Sequence, residues 1–197
     1  MRLFYTKRSP YARKVRVTAH EKNIPLSFIE EDLTKKSNEL IETNPLGKIP
    51  ALVLDNGEVL CDSPVICEYL DSLKDQPALI PQEPTLRFKT LSLAALADGV
   101  MDVTVTAYME KIRHPDNFHE PFIKSQEETI GRCLKFFDLR GDELKKISIA
   151  SIAVACAIGY IDFRLSYLLR KGDYPQLLKW FEEFSKRSSM ALSKPIA

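Results

Sequence analysis

Two turn-like positions in the sequence carry polar side chains next to proline, a pattern that suits the binding of a small anionic ligand. Ser9 precedes Pro10, and Asp62-Ser63 precedes Pro64. A serine or aspartate before proline is typical of a helix start, because the side-chain oxygen caps free N–H groups and proline fits the first turn. These N–H groups and the positive end of the helix dipole attract anions. The second start therefore predicts a site for a small extended ligand that carries a carboxylate.

The segment before the second helix start predicts a loop and a hairpin beside that site. Residues 44–50, NPLGKIP, end in Pro50 at the start of a short apolar run. Proline occupies only the first position of a central strand, and an X–Pro bond adopts the cis form at a cost of roughly 0.5–1 kcal/mol. Asn56-Gly57 then favours a tight hairpin turn, because both residues tolerate positive φ. We therefore expect a cis Ile49–Pro50 bond close to the second helix start.

These segments resemble the N-terminal domain of the glutathione S-transferase family. The family pattern is NP-x-G-x-[VI]-P, a hairpin, and then [ED]-S at the start of a helix, and residues 44–50 followed by Asp62-Ser63 are similar to it. Residues 9–16, SPYARKVR, are similar to the first-helix motif of serine-type and cysteine-type members. The resemblance implies the glutathione S-transferase fold, which is an α/β thioredoxin-like N-terminal domain followed by an all-α C-terminal helical bundle.

Hydrophobic patterning and prolines divide the chain in the same way. We expect a thioredoxin-like glutathione-binding domain over residues 1–74, a proline-containing linker over residues 75–84, and an all-helical domain over residues 85–197. The expected strands of the first domain are residues 3–5, 26–29, 51–54 and 59–61, and its expected helices are residues 11–22, 34–42 and 64–73. The expected helices of the second domain are residues 85–113, 121–139, 148–163 and 174–188.

The composition is that of an ordinary soluble globular protein and argues against several function classes. Lys+Arg 28 against Asp+Glu 27 give a formal net charge of +1, so we expect no nucleic-acid or membrane partner. No stretch reaches 18 apolar residues and no signal-peptide pattern is present, which favours a cytoplasmic protein. The four cysteines contain no C-x-x-C pair and the three histidines form no ligand pattern. Neither a disulfide framework nor a metal is therefore expected.

The resemblance implies that Ser9 is the catalytic residue. The thiol of glutathione, with a free pKa of about 8.5, must become a thiolate to attack an electrophile. A hydroxyl donor about 3 Å away, at the positive end of a helix, stabilises the thiolate and lowers that pKa. Other family members use a tyrosine at the end of the first strand, so Tyr5 and Thr6 are alternatives. Ser9 acting only as a helix cap is the simpler structural interpretation.

The resemblance also implies which residues bind the peptide part of glutathione. Ser63 would bind the γ-glutamyl carboxylate at the helix N-terminus, and Asp62 would pair with the α-ammonium group. Ile49 would pair its backbone N–H and C=O with the cysteinyl residue as an added strand, with Pro50 in the cis form.

Basic residues have two expected roles. Lys48 would neutralise the glycyl carboxylate of glutathione, with Lys35 or Lys36 as alternatives. A second basic group surrounds the first helix, and a solvated helix face that also speeds the encounter with glutathione is the simpler interpretation of it. This group comprises Lys7, Arg8, Arg13, Lys14 and Arg16.

The electrophile is expected to contact residues of the helical domain and of the first helix. The candidates are Tyr11, Met101, Tyr108 and Met109, although the same spacing also describes an ordinary core. Cys61 lies close to the proposed site in sequence and is interpreted as a small buried hydrophobic residue.

These features favour a glutathione transferase that conjugates glutathione thiolate to small hydrophobic electrophiles in detoxification, with glutathione-dependent peroxidase activity as a further possibility. The resemblance further implies that glutathione is the co-substrate and that the protein is a homodimer, in which the carboxylates of Asp98 and Asp102 reach toward the partner's glutathione. Two alternatives stay open, a non-enzymatic protein-interaction module of the same fold and a glutathione-dependent ligand-binding protein. The joint presence of Ser9, Ile49-Pro50 and Asp62-Ser63 favours the transferase, because a scaffold need not keep all three.

Overall fold

The computed structural model describes residues 1–196, and the chain forms two compact units. The first unit comprises Met1–Pro81 together with the chain from Ser188 onward, and the helical unit comprises Gln82–Arg187. The sequence pattern places the chain beyond residue 187 in the helical domain. The structure instead groups it with the first unit, for a reason that lies in the hydrogen bonds of α1 described below.

A four-stranded sheet forms the centre of the first unit. Its strands are β1 (Arg2–Tyr5), β2 (Ser27–Glu30), β3 (Ala51–Val53) and β4 (Val59–Leu60), in the spatial order β2-β1-β3-β4. β1 pairs with β2 in parallel, and β3 pairs antiparallel with both β1 and β4. The side chains of Leu3, Phe4 and Leu52 are completely buried at its centre. This topology confirms the expected thioredoxin-like arrangement.

The helices follow the expected order, with two additions near the C-terminus. They are α1 (Pro10–Glu21), α2 (Asn38–Thr43), α3 (Ser63–Ser72), α4 (Pro84–Arg113), α5 (Glu120–Asp138), α6 (Gly141–Leu144), α7 (Ile149–Leu165), α8 (Pro175–Phe184) and α9 (Ser188–Leu192). The short α6 was not expected, α8 ends four residues before the end of the last expected helix, and α9 begins at that end and continues to Leu192. Between residues 85 and 196 the structure contains no strand, which confirms the all-α character of the C-terminal part.

α2 begins four residues later than the sequence pattern indicates. The N–H and the hydroxyl of Thr34 both donate to Asp32 Oδ1, at 2.9 and 2.7 Å, and these hydrogen bonds lower the pKa of Asp32. Such a local side-chain turn competes with helix formation. Ser37 then caps α2, and its hydroxyl donates to the buried carboxylate of Glu31 at 2.7 Å. The helix therefore starts at Asn38, where the turn has ended.

The core of the helical unit is built around α7. Every residue from Ile149 to Ile161 is buried, as expected for a segment that is apolar nearly all round. Ser148 and Ser151 form a capping box, because each backbone N–H donates to the hydroxyl of the other residue, at 2.9 and 3.2 Å. α4 packs against α5 and α7, and the buried residues of α5 are Ile123, Ile130, Leu134 and Phe137.

Two helical segments are long and apolar enough to cross a membrane by length and composition alone. They are Pro84–Arg113 and Ile149–Leu168. This criterion discriminates weakly, because buried helices of compact proteins meet it as well. In the second segment, 78% of the most apolar window is buried inside the protein, which is the behaviour of a core helix.

A buried ion pair joins the C-terminal ends of α1 and α3. The side chain of Lys22, the C-cap residue of α1, is 0% exposed, and its Nζ lies 2.8 Å from Asp71 Oδ1. Lys22 Nζ also donates to the carbonyl oxygens of Lys74 and Pro77. The Asp71 carboxylate accepts N–H bonds from residues 79 and 80, at 3.0 and 2.9 Å. The pair therefore fastens both helices and the segment that follows α3.

Two arginines of α1 hold the chain beyond Ser188 on the first unit. Arg13 donates from Nε to Ser193 Oγ at 3.3 Å and from Nη2 to Met190 O at 3.1 Å. Arg16 donates from Nη2 to Leu192 O at 3.0 Å. The partners are 176 to 180 residues apart in sequence. These bonds explain why the C-terminal segment does not belong to the helical unit.

Replacement of Lys22 by methionine is expected to lower the free energy of unfolding by about 3–5 kcal/mol, because it leaves the buried Asp71 carboxylate without its counter-charge. Chemical denaturation measured by circular dichroism gives this value. The matched control is Lys145→Met, which removes a lysine from an exposed pair with Asp142 and is expected to leave stability almost unchanged. Equal losses in the two variants would contradict the assigned role of the buried pair.

Candidate functional site

The register of the sheet brings two of the predicted site segments to one edge. Phe4 of β1 lies opposite Ala51 of β3, and the two strands run antiparallel. The end of β1, which leads to Ser9, therefore lies beside the start of β3, which follows Pro50. The sheet itself places the loop before α1 next to the loop before β3.

Ser9 is the N-cap of α1, as expected. Its Oγ accepts a hydrogen bond from Ala12 N–H at 3.2 Å, and Pro10 is the first helical residue. Its own N–H donates to Thr6 Oγ1 at 3.2 Å. Ser9 is half-buried, and within residues 1–196 its hydroxyl proton has no acceptor. The hydroxyl thus serves as a cap through its oxygen and keeps one O–H to donate.

Tyr5 and Thr6, the alternatives to Ser9, have structural roles. Tyr5 is buried in β1, and its ring centroid lies 5.3 Å from that of Phe28 and 5.2 Å from the Arg16 guanidinium carbon. Thr6 is also buried, and its hydroxyl oxygen orients the backbone of Ser9.

Asn44 organises the loop that delivers Ile49 and Pro50. Its Nδ2 donates to Lys48 O at 2.8 Å, and its Oδ1 accepts from Leu46 N–H at 3.1 Å. Gly47 has φ +55, a left-handed conformation that glycine adopts without steric cost. Ile49 is buried, and the Ile49–Pro50 bond is cis, which confirms the prediction.

The start of α3 differs in detail from the sequence prediction. The N-cap is Asp62, whose Oδ1 accepts the Ser63 N–H, and Ser63 is the first helical residue, so the helix begins one residue earlier than expected. Ser63 is 1% exposed, whereas Asp62 is exposed. The Cys61–Asp62 bond is cis.

Side-chain pairs show that α1 and α3 run side by side in the same direction. Thr18 Oγ1 donates to Cys67 Sγ at 3.4 Å, and four residues further along each helix Lys22 meets Asp71. Equal steps on both helices require a parallel arrangement. The N-termini that carry Ser9 and the Asp62-Ser63 pair therefore point toward the same end of the helix pair, where their dipoles both favour an anion.

The three lysines predicted to neutralise the glycyl carboxylate of glutathione are all exposed, namely Lys48, Lys35 and Lys36. The Lys36 side chain lies across the loop, because a Cβ built on Gly47 would come within 3.1 Å of its Nζ. The ammonium group of Lys36 therefore lies beside the loop.

The basic residues of α1 do not form a solvated face, so that interpretation is wrong for two of them. Arg13 and Lys14 are buried, at 6% and 1% exposure. The burial of Arg13 follows from the C-terminal segment, which supplies acceptors to its guanidinium group. Lys7 is exposed and lies 2.9 Å from Glu30, whose hydrogen bond and charge raise the pKa of Lys7. Lys7 and Arg8 line a cavity of about 360 Å³ together with Thr6, Glu30, Glu31 and Ile196.

Cys61 is exposed, so its interpretation as a buried hydrophobic residue is also wrong. It follows β4, which ends at Leu60 rather than including Cys61. Partial desolvation, and secondly the charge of Asp62, raise the pKa of its thiol. The thiol is therefore poorly suited to act as a nucleophile at neutral pH.

The four electrophile-site candidates lie in different environments. Met101 is 0% exposed in the core of α4 and cannot contact a ligand without repacking. Tyr11, Tyr108 and Met109 are half-buried. Tyr108 accepts a hydrogen bond from Arg164 Nη1 at 3.0 Å.

Sequence reasoning missed two side chains that shape the site from a distance. Glu31 is buried and accepts bonds from Ser37, which fixes the segment that carries Lys36. Asn44 was noted as part of a motif, but its two loop bonds were not predicted. An asparagine two residues before the loop tip is a common signal for such turns. No cluster of three or more His, Cys, Asp or Glu side chains suitable for a metal occurs in the described part of the chain.

Comparison with known sequences gives a consistent result. The family model described as "Glutathione S-transferase, N-terminal domain" matches residues 3–78. The uncharacterized GST-like protein YibF of Escherichia coli (strain K12) is 35% identical over 199 residues, covering 99% of this chain and 98% of the relative.

Solved structures agree over the full length. A glutathione transferase family member from Pseudomonas fluorescens Pf-5, with bound S-(propanoic acid)-glutathione, superposes with a TM-score of 0.91 at 42% identity and covers 100% of both chains. A glutathione S-transferase from Methylobacillus flagellatus KT with glutathione bound has a TM-score of 0.93 at 38% identity over 99% of both chains. The fold, the motifs and these likenesses together show that this chain belongs to the glutathione S-transferase family.

Proposed function

We propose that this protein is a glutathione transferase in which Ser9 stabilises the thiolate of bound glutathione. The observation that carries the proposal is the state of the Ser9 hydroxyl, which accepts the capping bond from Ala12 N–H and has no acceptor for its own proton within residues 1–196. A thiolate at this position would accept that proton in a charge-assisted hydrogen bond. Tyr5 is less suited to this role, because its ring is buried against Phe28.

The γ-glutamyl group of glutathione binds at the start of α3 in this proposal. Its carboxylate takes the place of Asp62 Oδ1 as the acceptor of the Ser63 N–H and also accepts a hydrogen bond from the Ser63 hydroxyl, and the released Asp62 carboxylate pairs with the α-ammonium group. The exchange leaves each charged group with a partner. The backbone of Ile49 pairs with the cysteinyl residue, beside the cis Pro50. The bound ligands of the Pseudomonas and Methylobacillus neighbours support this choice of co-substrate.

The opposite end of glutathione meets a lysine. Lys48 is the candidate for this contact that its position in the NPLGKIP motif favours, and Lys36 is the candidate whose side chain lies across Gly47. The reaction is attack of the thiolate on a small hydrophobic electrophile in detoxification, and reduction of organic hydroperoxides is a second activity of the same thiolate. Tyr11, Tyr108 and Met109 remain candidates for electrophile contacts, because each is partly exposed.

Replacement of Ser9 by alanine is expected to lower kcat/KM toward 1-chloro-2,4-dinitrobenzene by about 10- to 100-fold, which corresponds to the loss of one charge-assisted hydrogen bond of about 1.5–3 kcal/mol. Glutathione affinity, measured by calorimetry, should change little because Ser9 contacts only the sulfur. Ser63→Ala is the matched comparison and should raise the KM for glutathione while leaving kcat nearly intact.

Melting temperatures must accompany these measurements, because Ser9 is also a helix cap worth about 1 kcal/mol. Absence of glutathione binding to the wild-type protein at millimolar concentration would refute the proposal as a whole. Wild-type activity that survives Ser9→Ala would refute only the assignment of Ser9.

We further place the protein in the cytoplasm as a homodimer. Large apolar side chains remain exposed in each unit, among them Leu46 at 70% and Phe88 at 69% exposure, and association would cover such surface. The carboxylates of Asp98 and Asp102 are the candidates for reaching the partner's glutathione. Sedimentation at micromolar concentration should give one species of about twice 22.5 kDa. A single species at the monomer mass would refute the dimer.

A further inference from the structure

Arg164, near the C-terminal end of α7, lies close to two aromatic rings of the helical unit. Its guanidinium carbon lies 3.9 Å from the ring centroid of Phe163 and 4.3 Å from that of Tyr108 on α4. The buried ring of Tyr160 lies behind this pair in the core, with its centroid 6.4 Å from that of Phe163. Both rings are close enough for cation–π contact, so the N–H groups are the part of the guanidinium that can still form hydrogen bonds.

The positive charge of Arg164 has no carboxylate partner within residues 1–196. Its one hydrogen bond to a side chain is the donation from Nη1 to Tyr108 Oη at 3.0 Å. Its Nε is buried and has no acceptor. Nε is closed to solvent, so an added acceptor would bind at Nη2, which has no hydrogen bond within residues 1–196 and is not fully buried.

Arg140 shows what a stacked arginine of the same unit looks like when its partners are present. Its guanidinium carbon lies 3.5 Å from the Phe136 ring centroid, so it is stacked in the same way. It also has a carboxylate partner in Glu143, at 3.9 Å, and donates to Phe136 O at 3.3 Å. The difference between the two arginines is the anionic partner.

Tyr108 supplies a second donor next to Arg164. Its Oη accepts the bond from Arg164 Nη1, and within the described residues its own O–H proton has no acceptor. A carboxylate has two oxygens in one plane, which suits simultaneous bonds from a guanidinium N–H and from a neighbouring hydroxyl. The flanking rings suit a planar or apolar body attached to that carboxylate.

We infer that Arg164 and Tyr108 form a binding site for small aromatic or apolar carboxylates in the helical unit. The guanidinium and the tyrosine O–H bind the two carboxylate oxygens, and the surface around Phe163 contacts the body of the ligand. This inference rests on the proposed function in that Tyr108 is also a candidate for electrophile contacts, and binding measured without glutathione tests it separately from the reaction.

The test compares 4-nitrobenzoate with 4-nitrobenzamide, which has the same shape without the charge, by isothermal titration calorimetry on the full-length protein. Wild-type protein should bind the carboxylate at least about tenfold more tightly than the amide. Arg164→Gln should remove this preference, and Tyr108→Phe should reduce it by about three- to tenfold. Arg140→Gln is the matched control and should leave both affinities unchanged.

Melting temperatures establish that each variant is folded. If Arg164→Gln does not fold, two results still test the inference. They are the tighter binding of 4-nitrobenzoate than of 4-nitrobenzamide by wild-type protein, and the reduction of this difference in Tyr108→Phe. The inference would be overturned if wild-type protein bound the two probes with equal affinity, or if it did not bind 4-nitrobenzoate at a concentration of about 10 mM. It would also be overturned if Arg140→Gln changed the affinities as much as Arg164→Gln.

Discussion

The ion pair between Lys22 and Asp71 fixes the geometry on which the candidate glutathione site depends. Lys22 caps the end of α1 and Asp71 lies in the last turn of α3, so the pair pins the two helices at their C-terminal ends. The contact between Thr18 and Cys67, one turn earlier, sets the same register. Because the helices run in parallel, fixing one end also fixes the relation between the two N-termini. The residues that would bind glutathione lie at those N-termini.

Side chains that satisfy backbone groups build most of the loops around the site. Asn44 bonds to two backbone groups of its loop, and Glu31 holds Ser37 at the start of α2. Such bonds organise polar segments that contribute little to a hydrophobic core. Against this background, the free O–H of Ser9 and the guanidinium group of Arg164, which has no carboxylate partner within residues 1–196, stand out as donors that a ligand can use. The places where the hydrogen bonds of the fold are incomplete are therefore the candidate sites for a ligand.

Local sequence predicted those features that depend on local physics. Ser9-Pro10 specified the start of α1, and Pro50 before an apolar run specified the cis bond and the start of β3. The start of α2 was misjudged because Asp32 captures Thr34 in a turn whose strength is not visible in a hydrophobic pattern. A one-residue difference at α3 arose because both Asp62 and Ser63 are good capping residues.

Features that depend on distant parts of the chain were not predictable in this way. Arg13 and Lys14 have the spacing of an exposed helix face, yet both are buried. The acceptors of Arg13 lie 177 and 180 residues away, and nothing in the local pattern around α1 announces them. The partnership of Arg164 with Tyr108 spans 56 residues and two helices, so it too required the structure.

The central claim is that the Ser9 hydroxyl stabilises the thiolate of bound glutathione, and a pH titration of thiolate absorbance tests it most directly. In the wild-type complex the pKa of the bound thiol should lie below its free value of about 8.5. In Ser9→Ala the pKa should rise toward that value, because the thiolate loses the hydrogen bond from the Ser9 hydroxyl whereas the neutral thiol loses no comparable bond. Tyr5→Phe and Thr6→Val serve as comparisons. A pKa that is unchanged in Ser9→Ala but raised in either of these variants would contradict the account.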